Sequence, residues 1–402
     1  MGHRYDICVV GGGLVGLATA RALIRMLSGV SLVLVEKEES VALHQSSHNS
    51  GVVHSGLYYR PGSLKARLCV EGREAVYELA DAAGVAARRS GKLVIASHQS
   101  ELGVLDELER RGRANGLEGL QRLVGSEIAG FEPNAVGVAA LHVPEAGVAD
   151  FPGLARHMAS SIEEGGAAIR TGAAVTAIDH TVDGVDVTAG ADRFSARALV
   201  NCAGLHSDRV AGLAGVGTSV RIIPFRGEYY TLTAGASPLV SALVYPVPDP
   251  RFPFLGVHFS RRVDGSVEVG PNAVLALGRE QYRGRSANWS DVRDTVRHPG
   301  FRALARAHWR SGLREMIHSG SRTLYARAAR RLIPAVRASD LVRGGSGVRA
   351  QAVDASGRLL DDFVIEEAGS SIHVLNAPSP AATASLAIGR YIAERTAPLI
   401  RG

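Results

Sequence analysis

Near its N-terminus the chain reads YDICVVGGGLVG, residues 5–16. The apolar residues that open this stretch predict a buried parallel strand. Leu14 to Leu27 are rich in alanine and leucine, contain no proline and predict a helix. A second apolar run, LVLV at residues 32–35, predicts a strand that ends at Glu36. Strand, glycine turn, helix and strand in this order indicate the first βαβ unit of a Rossmann-like fold.

The glycines of the turn each have a physical reason. Gly11 lets the chain turn tightly, Gly13 lets the backbone approach a pyrophosphate, and Gly16 lets the helix pack closely on the strand. The helix N-terminus supplies free N–H groups and the positive end of the helix dipole. Glu36 would accept hydrogen bonds from the ribose hydroxyls of an adenosine. GxGxxG alone is a weak signal, but the complete unit through Glu36 predicts dinucleotide binding.

Length and composition indicate the number of domains and the class of protein. A chain of 402 residues predicts about two domains, and 46% hydrophobic with 21% charged residues indicates a globular protein with a full core. No run of ~18 apolar residues occurs, so no transmembrane helix is predicted. The N-terminal apolar run is broken by the glycines of the turn, so no signal peptide is predicted. Cys8, Cys69 and Cys202 fall in apolar patterns and are predicted to be reduced core residues of a cytoplasmic protein. The net charge of +6 permits an acidic partner; no nucleic-acid partner and no metal site are predicted.

The remaining pattern alternates between a cofactor-binding part and a mostly β part. Apolar strands are predicted at 193–196 and 198–202, a separate antiparallel sheet with prolines at 221–271, and helices at 290–343. We therefore predict an α/β protein, α+β overall, with a second domain of mostly antiparallel sheet plus helices. The predicted Rossmann-like domain comprises 1–85, 145–220 and 335–402, and the predicted substrate domain comprises 86–144 and 221–334.

The sequence contains no second glycine fingerprint, because Gly212 to Gly217 and Gly344 to Gly347 have the wrong spacing. An enzyme that draws electrons from NADH through a flavin would commonly need a second such fold. One dinucleotide site beside a large mixed sheet therefore favours a tightly held FAD with a small substrate.

Longer motifs carry a family resemblance. ALVNCAG (198–204) and NAPSPAATASLAIG (376–389) resemble the D-amino-acid-oxidase-like FAD oxidoreductases, such as glycine oxidase and sarcosine oxidase. Within that superfamily, HQSSHNSGVVHSGLYYRPGSLKARLC (44–69), YPVPDPRFPFLGVHF (245–259) and GVRAQAV (347–353) resemble the L-2-hydroxyglutarate oxidase/dehydrogenase family. The resemblance covers nearly the whole chain. It implies an FAD domain, a substrate domain and oxidation of a 2-hydroxy acid to the 2-oxo acid by hydride transfer to flavin, with electrons passing to quinone or oxygen.

Three alternatives to that function stay open. The same machinery could act on a different 2-hydroxy acid or on an amino acid in a biosynthetic pathway. An amine or amino-acid oxidase would fit the fold but not the long hydroxyglutarate-type motifs. A non-catalytic flavin-binding module would have no need to keep His54, His258 and Arg349.

The resemblance also implies the cofactor contacts. Ala203 and Gly204 would end the second FAD strand, and Val175 would contact the adenine side. The segment from Ser379 to Thr383 would meet the flavin ring and the ribityl chain. The full predicted set is Gly11, Gly13, Gly16, Glu36, Lys37, His44, Gln45, Ser50, Gly51, Val175, Ala203, Gly204, Ser379, Pro380, Ala381 and Thr383.

Oxidation of an alcohol beside a carboxylate needs a base for the hydroxyl proton, and a histidine suits this task near pH 7. His258 lies on a predicted strand, and His54 lies in the flavin-side loop. In sarcosine oxidase a similar stretch places a tyrosine and then a histidine over the flavin, and Tyr245 and His258 have about that spacing. Either histidine taken alone could be structural; the resemblance favours a site role for both, with His258 as the base.

The substrate carboxylates need cations. In glycine oxidase the arginine that matches Arg349 grips the substrate carboxylate, for which a bidentate fork is suited. The alternative for Arg349 is an ion pair with Asp361 or Asp362. A five-carbon diacid needs a second cation, and the candidate side chains for the far carboxylate are Lys65, Arg60, Arg226, Tyr58 and Tyr59.

Two features bear on the electron acceptor. Arginines recur four residues apart from Arg302 to Arg314 and form one stripe of a predicted helix, which would rest on anionic lipid near quinone or be a solvated basic face. The stripe consists of Arg302, Arg306, Arg310 and Arg314, with Trp309, Leu313 and Ile317 on another side. In sarcosine oxidase a lysine four residues before the matching histidine promotes reaction with oxygen, and here that position is Phe254. We therefore expect a quinone to be the faster acceptor, with peripheral contact at the inner face of the membrane as an open alternative to a purely cytoplasmic location.

Overall fold

A computed structural model describes residues 3–249, 256–283, 287–307 and 321–401. Its strands are β1 (Arg4–Val10), β2 (Leu32–Val35), β3 (Val52–Val53), β4 (Ala87–Arg88), β5 (Lys92–Ala96), β6 (Gln121–Val124), β7 (Ala139–Val143), β8 (Gly147–Ala149), β9 (Ala168–Arg170), β10 (Val175–Thr181), β11 (Gly184–Ala189), β12 (Asp192–Asn201), β13 (Arg221–Leu232), β14 (Leu243–Pro246), β15 (His258–Arg261), β16 (Val267–Gly270), β17 (Val274–Leu275), β18 (Leu341–Val353), β19 (Val364–Ala368) and β20 (Ser371–Asn376). Its helices are α1 (Leu14–Met26), α2 (Leu64–Ala82), α3 (Leu102–Ala114), α4 (Ile128–Phe131), α5 (Phe151–Glu164), α6 (Ser207–Leu213), α7 (Trp289–Arg297), the helical residues 299–307 (α8), α9 (Arg322–Ala329) and α10 (Ala381–Arg401). The predicted α/β class is confirmed.

The first sheet has the strand order β10-β11-β12-β1-β2-β9, and β20 with β19 joins beside the second half of β12. β1 runs parallel to β2 and β12, so that Val10 stands in register with Val35 and Asn201. These strands therefore end at the same edge, which is where α1 begins. Helices α1, α5 and α10 share the apolar core against this sheet. The two strands predicted at 193–196 and 198–202 are one continuous strand, β12.

The second sheet has the strand order β17-β13-β16-β15-β14-β5-β7-β6, with β18 paired along β13. Its pairs are antiparallel except for β14 with β5, which agrees with the predicted mostly antiparallel sheet. Tyr245 pairs with Val94, and the register of Leu243 with Ser260 places Tyr245 opposite His258. Side chains from three neighbouring strands therefore meet on one face.

Strand β18 belongs to the second sheet. This strand lies in the segment 335–402, which we assigned to the cofactor domain, yet it pairs with β13 from Leu341 to Val353. Its sequence, LVRGGSGVRAQAV, is glycine-rich and gives a weak strand signal. The helical region predicted at 290–343 also extends too far, because α9 ends at Ala329 and β18 begins at Leu341. The domain boundaries stay predictions.

The helix with the predicted arginine stripe is described only in part. Arg302 and Arg306 lie exposed on α8, whereas Trp309, Arg310, Leu313, Arg314 and Ile317 fall outside the described residues, as does Phe254. Across the described ranges, no helix combines the length and the apolar character needed to span a membrane. Cys8, Cys69 and Cys202 are all buried free thiols.

Candidate active site

A cavity of about 1490 Å³ is lined by residues of both large sheets. The lining includes the glycine turn after β1, Glu36 and Val175, which together are called the cofactor end. Residues of α3, the turn at Pro248 and the loop between β2 and α2 also line the cavity. The predicted cofactor residues and the predicted catalytic residues thus face one continuous space.

The glycine turn leaves room that any side chain would fill. Gly11 has φ +106, and a Cβ there would lie 2.5 Å from the carbonyl oxygen of Cys202. A Cβ on Gly16 would lie 1.9 Å from the carbonyl oxygen of Gly11. Both distances are far below van der Waals contact, so these positions require glycine. The backbone is therefore open at the N-terminus of α1, which is the cradle that a dinucleotide pyrophosphate needs.

Glu36 fixes the turn from the end of β2. One carboxylate oxygen accepts the N–H of Gly12 at 2.7 Å, and the other accepts the N–H of Glu38 at 3.0 Å. The side chain is buried and lines the cavity beside the glycines. These two hydrogen bonds give Glu36 a structural role in holding the turn, in addition to the predicted contact with the ribose.

Ser46 is a cavity residue that the sequence did not predict. Its hydroxyl accepts the N–H of Leu14 at 2.9 Å, although the two residues are 32 positions apart. Leu14 opens α1, and Gly13 caps it without a side-chain hydrogen bond. The Ser46 hydroxyl thus lies at the N-terminus of α1, although Ser46 is not part of that helix. The phosphate groups of a dinucleotide would bind at the same place.

Most of the predicted cofactor residues line the cavity. They are Gly11, Gly13, Glu36, Lys37, His44, Gln45, Ser50, Val175, Ala203, Gly204, Ser379, Pro380 and Ala381. Gly16, Gly51 and Thr383 lie behind its wall. Gly51 has φ +70 and its carbonyl accepts the N–H of Ala149, while the hydroxyl of Thr383 accepts the N–H of His54 at 3.0 Å and donates to Val52. Gly51 and Thr383 therefore hold the loop that carries His54.

Lys37 and His44 belong to an ionic cluster. Lys37 Nζ lies 2.8 Å from Glu280, His44 Nε2 lies 3.0 Å from Glu38, and Lys37 also pairs with Glu38. The hydrogen bond from His206, with that from Lys37, lowers the pKa of Glu280 to about 2 although burial opposes this. The cluster joins the segment that contains Glu280 to the cofactor end of the cavity.

His258 and Tyr245 form a stacked pair on the second sheet. Their ring centroids are 3.9 Å apart with 20° between the planes. His258 Nδ1 lies 2.8 Å from the carbonyl oxygen of Gly256. Because a carbonyl only accepts, Nδ1 carries the proton and Nε2 keeps its lone pair. Burial, with the charge of Lys92, lowers the pKa of His258 to about 3 although the bond to Gly256 opposes this.

His54 approaches the same space from the loop. Its Nε2 lies 3.3 Å from the Ser379 hydroxyl. Burial lowers its pKa well below the usual range, and the charges of Lys92, His258 and Lys65 add to this effect. Both histidines are therefore neutral near pH 7, and each can accept a proton.

Three of the predicted carboxylate-binding cations, Arg349, Lys65 and Arg226, line the cavity, whereas Arg60 is exposed and is not part of its lining. Arg349 is held on β18 opposite Phe225, and burial lowers its pKa. Lys65 Nζ lies 3.0 Å from Asp361, and its backbone N–H donates to Asp362 at 2.9 Å. Arg226 pairs with Glu228 at 2.6 Å. Asp361, one of the two predicted alternative partners of Arg349, forms an ion pair with Lys65, and its charge also opposes the fall in the pKa of Arg349.

The predicted donors Tyr58 and Tyr59 are also at the cavity wall. Burial raises the pKa of both phenols well above the usual range, so both stay protonated. Lys65 Nζ lies 5.0 Å from the centre of the Tyr59 ring. Tyr59 can donate to a bound anion, and Tyr58 faces a second lysine that the sequence did not predict, Lys92, at 5.2 Å.

A family model described as FAD dependent oxidoreductase matches residues 6–395. The chain belongs to this family. The cradle at Gly11 and Gly16 fits FAD, because the backbone is bare where the family's dinucleotide cofactor places its phosphates. The residues that would hold FAD are those at the turn, at Glu36, at Ala203 and at Ser379.

Relatives of known name cover nearly the full chain. The family member of Indibacter alkaliphilus named L-2-hydroxyglutarate dehydrogenase is 44% identical over 97% of this chain and 98% of its own length. The L-2-hydroxyglutarate dehydrogenase of Salmonella houtenae is 41% identical over 97% and 93%. The mitochondrial L-2-hydroxyglutarate dehydrogenase of Homo sapiens is 41% identical over 97% and 88%.

Solved structures share the fold at lower identity. L-alpha-glycerophosphate oxidase from Mycoplasma pneumoniae with FAD bound superposes with a TM-score of 0.80 at 23% identity, over 100% of this chain and 95% of that one. Glycine oxidase from Geobacillus kaustophilus gives a TM-score of 0.73 at 20% identity, over 99% and 95%. These likenesses confirm the fold of an FAD-binding oxidoreductase.

Proposed function

We propose that the protein oxidises L-2-hydroxyglutarate to the 2-oxo acid. The observation that carries this proposal is the meeting of two neutral histidines and a buried arginine in the cavity beside the cofactor cradle. The family relatives that match over nearly the full chain support the choice of substrate. A non-catalytic flavin module would gain nothing from this arrangement of base and cation.

In the proposed reaction Arg349 binds the carboxylate next to the hydroxyl-bearing carbon. Its guanidinium offers two parallel N–H donors, and burial makes the pair strong. His258 Nε2 accepts the hydroxyl proton, since its Nδ1 is already engaged with Gly256. The negative charge of the substrate offsets part of the fall in the pKa of His258, because a nearby anion favours the imidazolium. FAD held by the glycine turn, Glu36, Ala203 and Ser379 would supply the two-electron acceptor for the hydride that leaves the same carbon.

The experiment that tests this function is anaerobic bleaching of the bound flavin. The panel comprises L- and D-2-hydroxyglutarate, L-malate, L-lactate, glycerol 3-phosphate and L-glutamate. We expect L-2-hydroxyglutarate to reduce the flavin at least tenfold faster than any other compound at equal concentration. Faster reduction by another hydroxy acid, or by the amino acid, would assign the machinery to that substrate instead.

We also propose that the electrons leave to a quinone faster than to oxygen. The support is the apolar residue at position 254, where sarcosine oxidase has its oxygen-activating lysine, and the basic pair Arg302 and Arg306 exposed on α8. The test is to reduce the flavin with substrate and then mix it with air-saturated buffer or with a soluble quinone. Reoxidation by oxygen that keeps pace with turnover and yields stoichiometric peroxide would make the protein an oxidase.

A further inference from the structure

Lysine is rare in this chain, and two of its lysines lie beside the neighbouring rings of Tyr58 and Tyr59. Of the 45 basic residues in the sequence only three are lysines, Lys37, Lys65 and Lys92. Lys37 and Lys65 line the cavity, and Lys92 lies behind its wall against Tyr58 and Tyr245. Arginine cannot lose its proton in proteins, whereas a buried lysine can. A lysine in an otherwise arginine-rich chain thus offers an amine that can change charge.

Lys92 occupies the most enclosed of these positions. It is 1% exposed, and its Nζ lies 4.1 Å from the centre of the Tyr245 ring and 5.2 Å from the Tyr58 ring. Tyr245 in turn stacks on His258. One aromatic ring, that of Tyr245, therefore lies between the Lys92 amine and the proposed base, His258.

Among the described residues, Lys92 has no carboxylate as an ion-pair partner and is surrounded mainly by aromatic and neutral groups. The titratable groups that face it are Cys69 of α2, His54 and Tyr58 of the loop, Tyr245 of β14 and His258 of β15. Within the described part of the chain, no carboxylate forms an ion pair with Lys92. Lys65, by contrast, has Asp361 at 3.0 Å. Ring faces attract an ammonium only weakly compared with its lost hydration, so burial lowers the pKa of Lys92 to about 7.

We propose that Lys92 is a charge switch for the substrate: in mildly alkaline buffer its amine is mostly neutral in the empty site, and it takes up a proton from solvent when a dicarboxylate binds. The inference rests on the proposed function for the nature of the ligand. Arg349 is assigned to one carboxylate of the ligand, and the other two predicted cations that line the cavity, Lys65 and Arg226, already hold Asp361 and Glu228. The second carboxylate therefore brings charge that the wall does not balance, and nearby anions raise the pKa of an amine.

Proton uptake by Lys92 also leaves His54 and His258 neutral and able to accept a proton. The pKa values of His54 and His258 lie well below that of Lys92, so Lys92 gains the proton first as negative charge enters. His258 Nε2 then remains an acceptor for the hydroxyl proton. Lys92 acts through Tyr245 and the field of the site, and is a positioning residue rather than a catalytic one.

The test is calorimetric titration of the FAD-loaded enzyme with glutarate, a five-carbon dicarboxylate that has no hydroxyl to oxidise. Titration in buffers of different ionisation enthalpy gives the number of protons taken up per ligand. We expect most of one proton at pH 8 and almost none at pH 6, where the amine is already protonated. The Kd should rise close to tenfold per pH unit above pH ~7.

Two variants make the result specific. Lys92→Met replaces a buried amine by an apolar chain of similar length, and it should abolish proton uptake and flatten the pH dependence of Kd. Lys65→Met is the matched control, which should weaken glutarate but leave the uptake intact. Uptake that persists in Lys92→Met, or wild-type binding without uptake at pH 8, would overturn the proposal. Reduction of the wild-type flavin by L-2-hydroxyglutarate is checked first, so failure of the substrate assignment is seen separately.

Discussion

The two large sheets present different chemistry to the shared cavity. The first sheet offers backbone: bare glycines, the N-terminus of α1 and a carboxylate that braces the turn. The second sheet offers side chains, with Tyr245, His258 and Arg349 standing on three different strands. The difference teaches that cofactor binding depends on local chain geometry, whereas substrate chemistry depends on side chains that only the folded sheet brings together. Changes in the two regions should therefore fail in different ways.

The largest effect is expected for Gly16→Ala. The new Cβ would lie 1.9 Å from the carbonyl oxygen of Gly11, so the turn must move and the cradle is lost. We expect protein without bound flavin and with a lower melting temperature, measured by the ratio of absorbance at 280 and 450 nm and by thermal unfolding. Gly130→Ala in α4 is the control, since a Cβ there meets nothing within 4 Å. Full flavin content in Gly16→Ala would show that the turn is not the cofactor site.

The second largest effect is expected for His258→Asn, which changes a side chain of the second sheet. Asparagine keeps a hydrogen-bonding side chain but cannot accept the proton, so flavin reduction should slow by about a hundredfold to ten-thousandfold. Flavin content should stay that of the wild type. Rapid-mixing absorbance under anaerobic conditions measures the rate. Should His54→Asn abolish reduction while His258→Asn leaves it nearly intact, His54 is the base.

Arg349→Lys should act on the substrate alone. The lysine keeps the charge but loses the bidentate fork, and breaking a buried charged pair costs roughly 2–5 kcal/mol. The Kd for glutarate should therefore rise about thirtyfold or more. Equilibrium titration of the loaded enzyme measures it. Loss of FAD with unchanged glutarate affinity would place Arg349 in the cofactor site or the fold.

The smallest effect is expected for Ser46→Ala. The variant removes the hydroxyl that accepts the N–H of Leu14, worth about 0.5–1.5 kcal/mol. FAD affinity should fall about twofold to tenfold, measured by reconstitution of the flavin-free protein, while glutarate affinity stays unchanged. An unchanged FAD affinity would mean that Ser46 only caps the helix.

The cofactor half of the site was accessible from sequence because its parts are contiguous. Residues 5–36 contain strand, glycines, helix and acidic residue at fixed spacing, and local geometry alone gives their arrangement. Ser46 was missed because its bond to Leu14 closes over 32 residues through a loop without regular structure. Gly51 and Thr383 were assigned to the cofactor, yet the structure places them behind the wall, where they hold the loop of His54.

The substrate half was less accessible because its residues come from distant strands. His258, His54 and Arg349 were predicted through family resemblance rather than through spacing. Lys92 opens an apolar strand, KLVIA, and nothing beside it in the sequence indicates a functional amine. Its importance appears only when β5, β14 and β15 lie side by side. The pairing of β18 with β13 was not apparent from the sequence for a similar reason, because the glycine-rich β18 gives a weak strand signal and its partner strand is distant along the chain.

The most direct test of the division between the two regions is a double-mutant cycle of Ser46→Ala and Arg349→Lys. The Kd values for FAD and for glutarate are measured in the wild type, both single variants and the double variant. Independent regions predict that each variant changes only its own ligand and that the effects add to within about 0.5 kcal/mol. A coupling free energy of about 1 kcal/mol or more for either ligand would contradict the account, because cofactor and substrate would then be held by one interdependent network.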